Sequence, residues 1–306
     1  MGLLFVCTSA LAYPDRPVKL IVPFPGGSQT DLVARMVAQQ LTAQLGGAFV
    51  VENRPGAVGT IAATQVARAT PDGYTLLVTS AGVQAMNYSL FKELPYKPAD
   101  FAAIGRVAST GMVLMVKSDS PIKSVSDLVQ AAEANRGKLS AGYGSPGSQI
   151  ALASFKSLAK IDVLDIPYKG IPNAVTDMLG GQIDFTFVDF GTALAQAKGG
   201  ALRALAVTPA GGSSLMPEVS ALAKFYPDYS TSSWYGVMAP ADTPKKILEL
   251  LSAALARSMQ DPSLVPGLAA LGVEPAFMDA AQFQQYIDKE ITSWAEMIKL
   301  ANIQKQ

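Results

Sequence analysis

Residues 18–31, VKLIVPFPGGSQTD, run from a short apolar strand through the pair Gly26-Gly27 into a helix that opens with Ser28, Gln29, Thr30 and Asp31. A helix that begins in a small-residue loop offers free backbone N–H groups and the positive end of its dipole. Those can hold an anion without a cationic side chain. Glycines also serve a tight strand-to-helix turn through positive φ, so the loop reads either as an anion site or as a plain turn. It is not a nucleotide motif: no Gly-Lys-Ser/Thr follows, and the dinucleotide fingerprint is incomplete.

Further along, YGSPG around Ser145 approaches the nucleophile pattern G-x-S-x-G, but Tyr143 stands at the first glycine position and the chain has no histidine to activate a serine. A hydroxyl that donates to a ligand suits it better. Ser148 is placed to cap the next helix, a role compatible with ligand contact. Asp189 ends the apolar run IDFTFVDF, either as a turn or cap residue before Thr192 or as a group in a cleft. In a cleft it would repel a second bare carboxylate and accept a hydrogen bond from an amine, amide or hydroxyl. Arg54, beside Pro55-Gly56, reads as holding its own loop, and Lys169 as solvated. Phe24, Tyr143 and Tyr168 either sandwich a planar ligand or pack in the core.

Composition excludes much else. Lysine plus arginine equals aspartate plus glutamate at 24 each, so no field favours nucleic acid or an anionic membrane. With no histidine and a single cysteine, Cys7, there is no Ser-His-Asp or Cys-His catalysis, no His/Cys zinc site and no disulfide. An enzyme would have to be carboxylate-based, and only Asp31 and Asp189 are candidates for a paired acid site. No cofactor and no metal are expected.

The elements that must position these residues alternate. A strand at 18–22, a helix stopped by Gly46-Gly47, a strand at 49–51, a helix over 61–68 and a strand at 75–79 ending in the small-residue loop Ser80-Ala81-Gly82 predict a parallel sheet with crossover helices. Ligands in such sheets sit beyond the carboxyl ends of the strands. Two apolar runs with no helix between them follow, 103–108 and 112–116, and 112–117 is expected to cross into a second domain. There, strands at 139–142, 163–166, 183–188 and 202–208 alternate with helices over 149–159, capped by Ser148, and 173–179. The chain is expected to return near 232–236, with a long helix at its end. Residues 2–12, GLLFVCTSALA, have the length of a signal-peptide core and end in the A-x-A pattern of Ala10-Leu11-Ala12. No basic region precedes them, so the start codon is expected further upstream. The other readings of this stretch are a buried N-terminal strand or, with Val6 before Cys7, a lipoprotein.

Eight segments in order, YPDRPVKLIVPF, VENRPGAVGTIAA, ATPDGYTLL, ELPYKPADF, IPYKG, MLGGQID, LRALAVT and SWYGVMAPADTP, resemble the recurring phrases of the Bug or TctC-type solute receptors of tripartite tricarboxylate transporters. The resemblance implies an α/β type II periplasmic-binding-protein fold: two domains, each with a mostly parallel sheet flanked by helices, joined by two crossover strands. The division expected is 1–12 signal peptide, 13–117 plus 237–306 first domain, and 118–236 second domain. It further implies a periplasmic, non-catalytic, monomeric receptor that passes a small organic carboxylate to membrane permease subunits. Di- and tricarboxylates, aromatic acids, amino acids and nicotinate-like heterocycles remain open. The rivals are a receptor of the same fold reporting to a membrane sensor kinase, and a carboxylate-based periplasmic enzyme. Carried over, Phe24, Pro25, Gly26, Gly27, Ser28, Gln29, Thr30, Ser80, Ala81 and Gly82 form the first wall of the site. Gly144, Ser145, Ser148, Tyr168 and Asp189 form the second. PGGSQTD has one residue more between its glycines and Asp31 than the family's usual P-G-G-x-T-D, which brings the Gln29 side chain toward the ligand.

Overall fold

The computed structural model describes residues 13–229, 231–300 and 303–305, so the signal-peptide reading of 1–12 lies outside the described residues. The first third folds as β1 (Val18–Val22), α1 (Gln29–Leu45), β2 (Phe49–Asn53), α2 (Thr60–Ala67) and β3 (Thr75–Ser80). All three strands pair in parallel with β1 central. β1 is apolar on both faces, and Val18, Leu20, Ile21 and Val22 are fully buried, which is how a strand covered by helices on both sides must read. Gly46, left-handed at φ 73°, closes α1.

Beyond β3 the chain does not loop. Gly82–Met86 forms a wide π turn that runs into the short helix α3 (Asn87–Leu90), so the expected Ser80-Ala81-Gly82 loop is helical from its second residue. β4 (Phe101–Thr110) and β5 (Met112–Lys117) follow, then α4 (Val125–Ala134), β6 (Ser140–Tyr143), α5 (Pro146–Ala159), β7 (Leu164–Pro167), α6 (Ile171–Leu179), β8 (Phe185–Asp189), α7 (Phe190–Lys198) and β9 (Leu202–Val207). The chain ends in β10 (Ser233–Pro240), α8 (Lys245–Ser258), α9 (Leu264–Ala270), β11 (Glu274–Met278) and α10 (Ala280–Leu300).

The strands assemble into two sheets, β11-β4-β10-β3-β1-β2 and β7-β6-β8-β5-β9. Both are mixed. β10 and β11 oppose the other four strands of the first sheet, and β5 opposes the other four of the second. The reversed strands are those that follow a crossing or belong to the return limb; the others are linked by helical crossovers, which impose parallel pairing. β5 pairs along its length with β8 and β9, so the sheet changes at Gly111, one residue ahead of the strand expected to cross. Each sheet has an apolar cluster on both faces. α10 spans the two halves: Ile150 of α5 packs in one cluster with Trp234, Phe283 and Ile287. Trp234 meets the Phe283 ring edge-on at 4.9 Å.

Candidate functional site

A cavity of about 450 Å³ lies where the chain passes between the sheets. Its first wall comes from α1 and the end of β3. Ser28 caps α1, its Oγ accepting the Asp31 N–H at 3.3 Å. The Ser28 N–H goes to Pro25 O, and the Gly27 N–H to Asp31 Oδ2 at 2.8 Å. The first-turn donors left over are the amides of Gln29 and Thr30, the two α1 residues that line the cavity. The Gln29 side chain donates to Leu271 O and accepts from the Tyr235 hydroxyl. Both ends of the side chain are thereby held by protein groups at the cavity edge.

Pro25, Gly26 and Gly27 are exposed and, with Ser28, stay outside the lining. The anion they hold is internal. Asp31 is 1% exposed and takes the Gly27 amide, Asn53 Nδ2 at 2.9 Å and a two-point contact from Arg35 at 3.0 and 3.1 Å. Burial pushes the Asp31 carboxyl up, but the hydrogen bonds from Arg35, Gly27 and Asn53 outweigh it and leave the group below the usual carboxylate range. Phe24, Ser80 and Gly82 line the cavity, whereas Ala81 turns away into the core at 0% exposure.

The second wall is built on α5 and the end of β8. α5 starts earlier than the sequence suggested, at Pro146, and its cap is Ser145, not Ser148. Ser148 sits one turn inside, fully buried. Its Oγ accepts from the amides of Gly144 at 3.0 Å and Ser145 at 2.9 Å and donates to Ser145 O at 2.9 Å. Its capacity is spent on the loop, which removes it from ligand contact. Gly144 packs against the next loop, where a Cβ would stand 2.2 Å from the Gly170 carbonyl carbon. Tyr168 bonds Asp177 Oδ2 at 2.9 Å and packs on the far face of the sheet. None of these three lines the cavity; Ser145 and Asp189 do. Asp189 is the cap of α7, accepting from Thr192 N–H and Oγ1 at 2.8 Å each, and it also stands in the cavity lining.

The floor comes from residues that no sequence motif marks. Thr110, Gly111 and Met112 on one crossing, and Thr231, Ser232, Ser233 and Tyr235 on the other, line the cavity. The two crossings are tied together: Thr208 Oγ1 accepts the Met112 N–H at 2.9 Å and donates to Thr231 O at 2.6 Å. The signal was available, because a cleft between two domains must be floored by the segments that join them. Asn87, Leu90 and the Trp294 indole on α10 complete the rim, Trp294 Nε1 donating to Glu290 Oε2 at 2.8 Å. Among the described residues no lysine or arginine lines the cavity, and Asp189 is the charged residue that does. Arg54 pairs with Glu52 outside it. Burial, with the Asp189 charge added, pushes the Tyr235 phenol upward, which keeps it a hydrogen-bond donor.

Over residues 33–303 the chain matches the model of the Tripartite tricarboxylate transporter family receptor, TctC. The chain belongs to this family. Protein BugT of Bordetella pertussis is 33% identical to this TctC-family chain over 308 residues, covering 97% of it and 94% of BugT. Among solved structures, R. palustris Rpa4515 with adipate is 31% identical at a TM-score of 0.77, covering 96% of this chain and 100% of that one. MatC from Rhodopseudomonas palustris with bound malate is 28% identical at 0.69, covering 94% and 100%. A TctC solute binding protein from Polaromonas is 27% identical at 0.84, covering 94% and 99%. The two mixed sheets of the TctC-family chain are those of the two-domain periplasmic-binding-protein fold. No helix among the described residues is long and apolar enough to cross a membrane.

Proposed function

We propose that this chain is a periplasmic receptor that captures one small organic carboxylate between its two domains and delivers it to a membrane permease, without catalysis. The observation that carries the reading is the cavity itself. It has the volume of a small-molecule site and receives the starts of two helices, α1 from one sheet and α5 from the other. The amides of Gln29, Thr30 and Gly147 and the hydroxyls of Thr30, Ser80 and Ser233 supply donors there, and no cationic side chain is needed. Its relatives with adipate and malate support a carboxylate as the ligand.

The domains we propose divide where the chain changes sheet: 13–110 with 233–305, and 112–229. Closure about the paired crossings at Gly111 and Thr231 buries the ligand. Export through the segment 1–12 belongs to the same reading. A thermal-shift panel of mono- and dicarboxylic acids tests it, because a ligand that binds only the folded chain raises the melting temperature by mass action. Stabilisation by at least one acid is the expected result. A panel in which none stabilises, while sugars or phosphates do, removes the reading.

A further inference from the structure

The charge of the cavity is lopsided, and this narrows the ligand further, given the carboxylate reading above. Asp189 brings a carboxylate to the lining and no lysine or arginine balances it there. Nor does a salt bridge to Asp189 form elsewhere among the described residues. The neighbouring phenol cannot neutralise it, because the Tyr235 proton is committed to Gln29 Oε1. Each Asp189 oxygen accepts one hydrogen bond from Thr192 and keeps one lone pair in reserve. When a ligand displaces water from the cavity, those lone pairs lose their solvent partners and must find a donor on the ligand. A second ligand carboxylate cannot provide one and would face a like charge in a partly desolvated space. Alongside its polar groups the cavity has apolar lining from Phe24, Met86, Leu90, Met112 and Trp294.

We infer that the ligand is a monocarboxylic acid with an apolar body and a second group, an ammonium or hydroxyl, that donates a hydrogen bond to Asp189. The carboxylate lies at the starts of α1 and α5, and the donor faces the end of β8. The class is an amino or hydroxy acid, not a diacid.

Calorimetric titration with acids of one skeleton tests this: valerate, 5-hydroxyvalerate, 5-aminovalerate and glutarate, repeated on the four- and six-carbon skeletons. In the wild type the hydroxy or amino acid is expected to bind roughly tenfold or more tighter than the diacid of the same length. Which of the two wins tells the hydroxyl from the ammonium. In Asp189→Asn the preference over the diacid is expected to shrink or reverse. Asparagine caps helices as well as aspartate does, and Asp189→Ser gives a second variant that keeps the cap. A diacid that binds tightest in the wild type, or an order of affinity unchanged in both variants, overturns the inference and leaves the carboxylate receptor standing. No saturable binding by any acid, here or in the broad thermal-shift panel, overturns both.

Discussion

The Asp31 carboxylate accepts the Gly27 amide at 2.8 Å, so the Gly-Gly loop of this receptor already holds an anion supplied by its own helix. The same carboxylate binds Asn53 Nδ2, which also donates to Phe24 O at 2.9 Å, and so ties the loop to β2. The loop is a rigid frame, and the donors that face the cavity come in the first turn of α1, at Gln29 and Thr30.

That frame makes stability depend on acid. The folded Asp31 carboxyl sits below its ordinary value, so the unfolded chain binds its proton at higher pH than the folded chain does. The stabilisation is complete above the ordinary aspartate range and is lost as pH falls through the lowered value. Asp31→Asn is expected to lower the melting temperature at pH 7 and to flatten its fall between about pH 5 and pH 3. Asp31→Ala, which leaves the Gly27 N–H and Arg35 without their acceptor and Asn53 with Phe24 O alone, is expected to cost about 2–4 kcal/mol in chemical denaturation.

Ser148 separates a loop role from a ligand role. Ser148→Ala leaves the Gly144 and Ser145 amides without their acceptor and is expected to cost about 1–2 kcal/mol. Ligand affinity measured on the folded variant is expected to stay within about twofold of wild type. Ser145→Ala, at the cavity edge, is expected to change both.

At the crossings only glycine fits position 111. A Cβ there would stand 2.6 Å from Pro209 Cδ and 2.8 Å from Thr208 Oγ1, the atom that joins the two crossing segments. Gly111→Ala is expected to cost about 1–3 kcal/mol. It should also weaken ligand binding, since Met112 and Thr231 must move with Thr208. Parallel melting and titration of the variant check the two effects together.

Behind the cavity, Glu290 holds the Trp294 indole. Burial pushes the Glu290 carboxyl up, and hydrogen bonds from Trp294 and neighbouring groups with the charge of Arg106 offset this only in part. An acid raised in the folded state costs stability when ionised. That cost is absent below the ordinary glutamate range and complete above the raised value. Glu290→Gln keeps an acceptor for the indole. It is expected to melt with the wild type near pH 4 and above it at pH 8, as scanning calorimetry at the two pH values would show.

The parallel β-α-β-α-β start was legible because its strands are apolar on both faces and its first helix carries a clear 3.6-residue stripe through Val33, Val37 and Leu41. α7 was not: FGTALAQAK is rich in small residues, and only Phe190 and Ala193 are buried along it. Small residues likewise made Ser80-Ala81-Gly82 look like a loop where the chain winds into a π turn over buried Val83 and Ala85. In the site, Ser145 stood out through the YGSPG pattern, Gln29 through the extra residue in PGGSQTD and Asp189 through its place at the end of the apolar run IDFTFVDF, and all three line the cavity. Ser148 and Tyr168 could not be sorted from them, since whether a hydroxyl is free or consumed is decided by neighbours such as Gly144 and Asp177. The crossing residues escaped notice because glycine, threonine and serine there contribute backbone and shape rather than a recognisable motif.

The cavity between the sheets is where the proposed carboxylate is held. Gly82 lines that cavity, and a Cβ added there would come no closer to a neighbour than 3.5 Å, at Ser80 Oγ, so the position has room for a Cβ and Gly82→Leu is chosen to occupy the cavity. Calorimetric titration of the best-binding carboxylate into wild type and Gly82→Leu is the direct test. Saturable one-to-one binding to the wild type, and none to a variant that melts like it, is the expected result. Equal affinity in the two proteins would place the ligand elsewhere and overturn the assignment of this cavity.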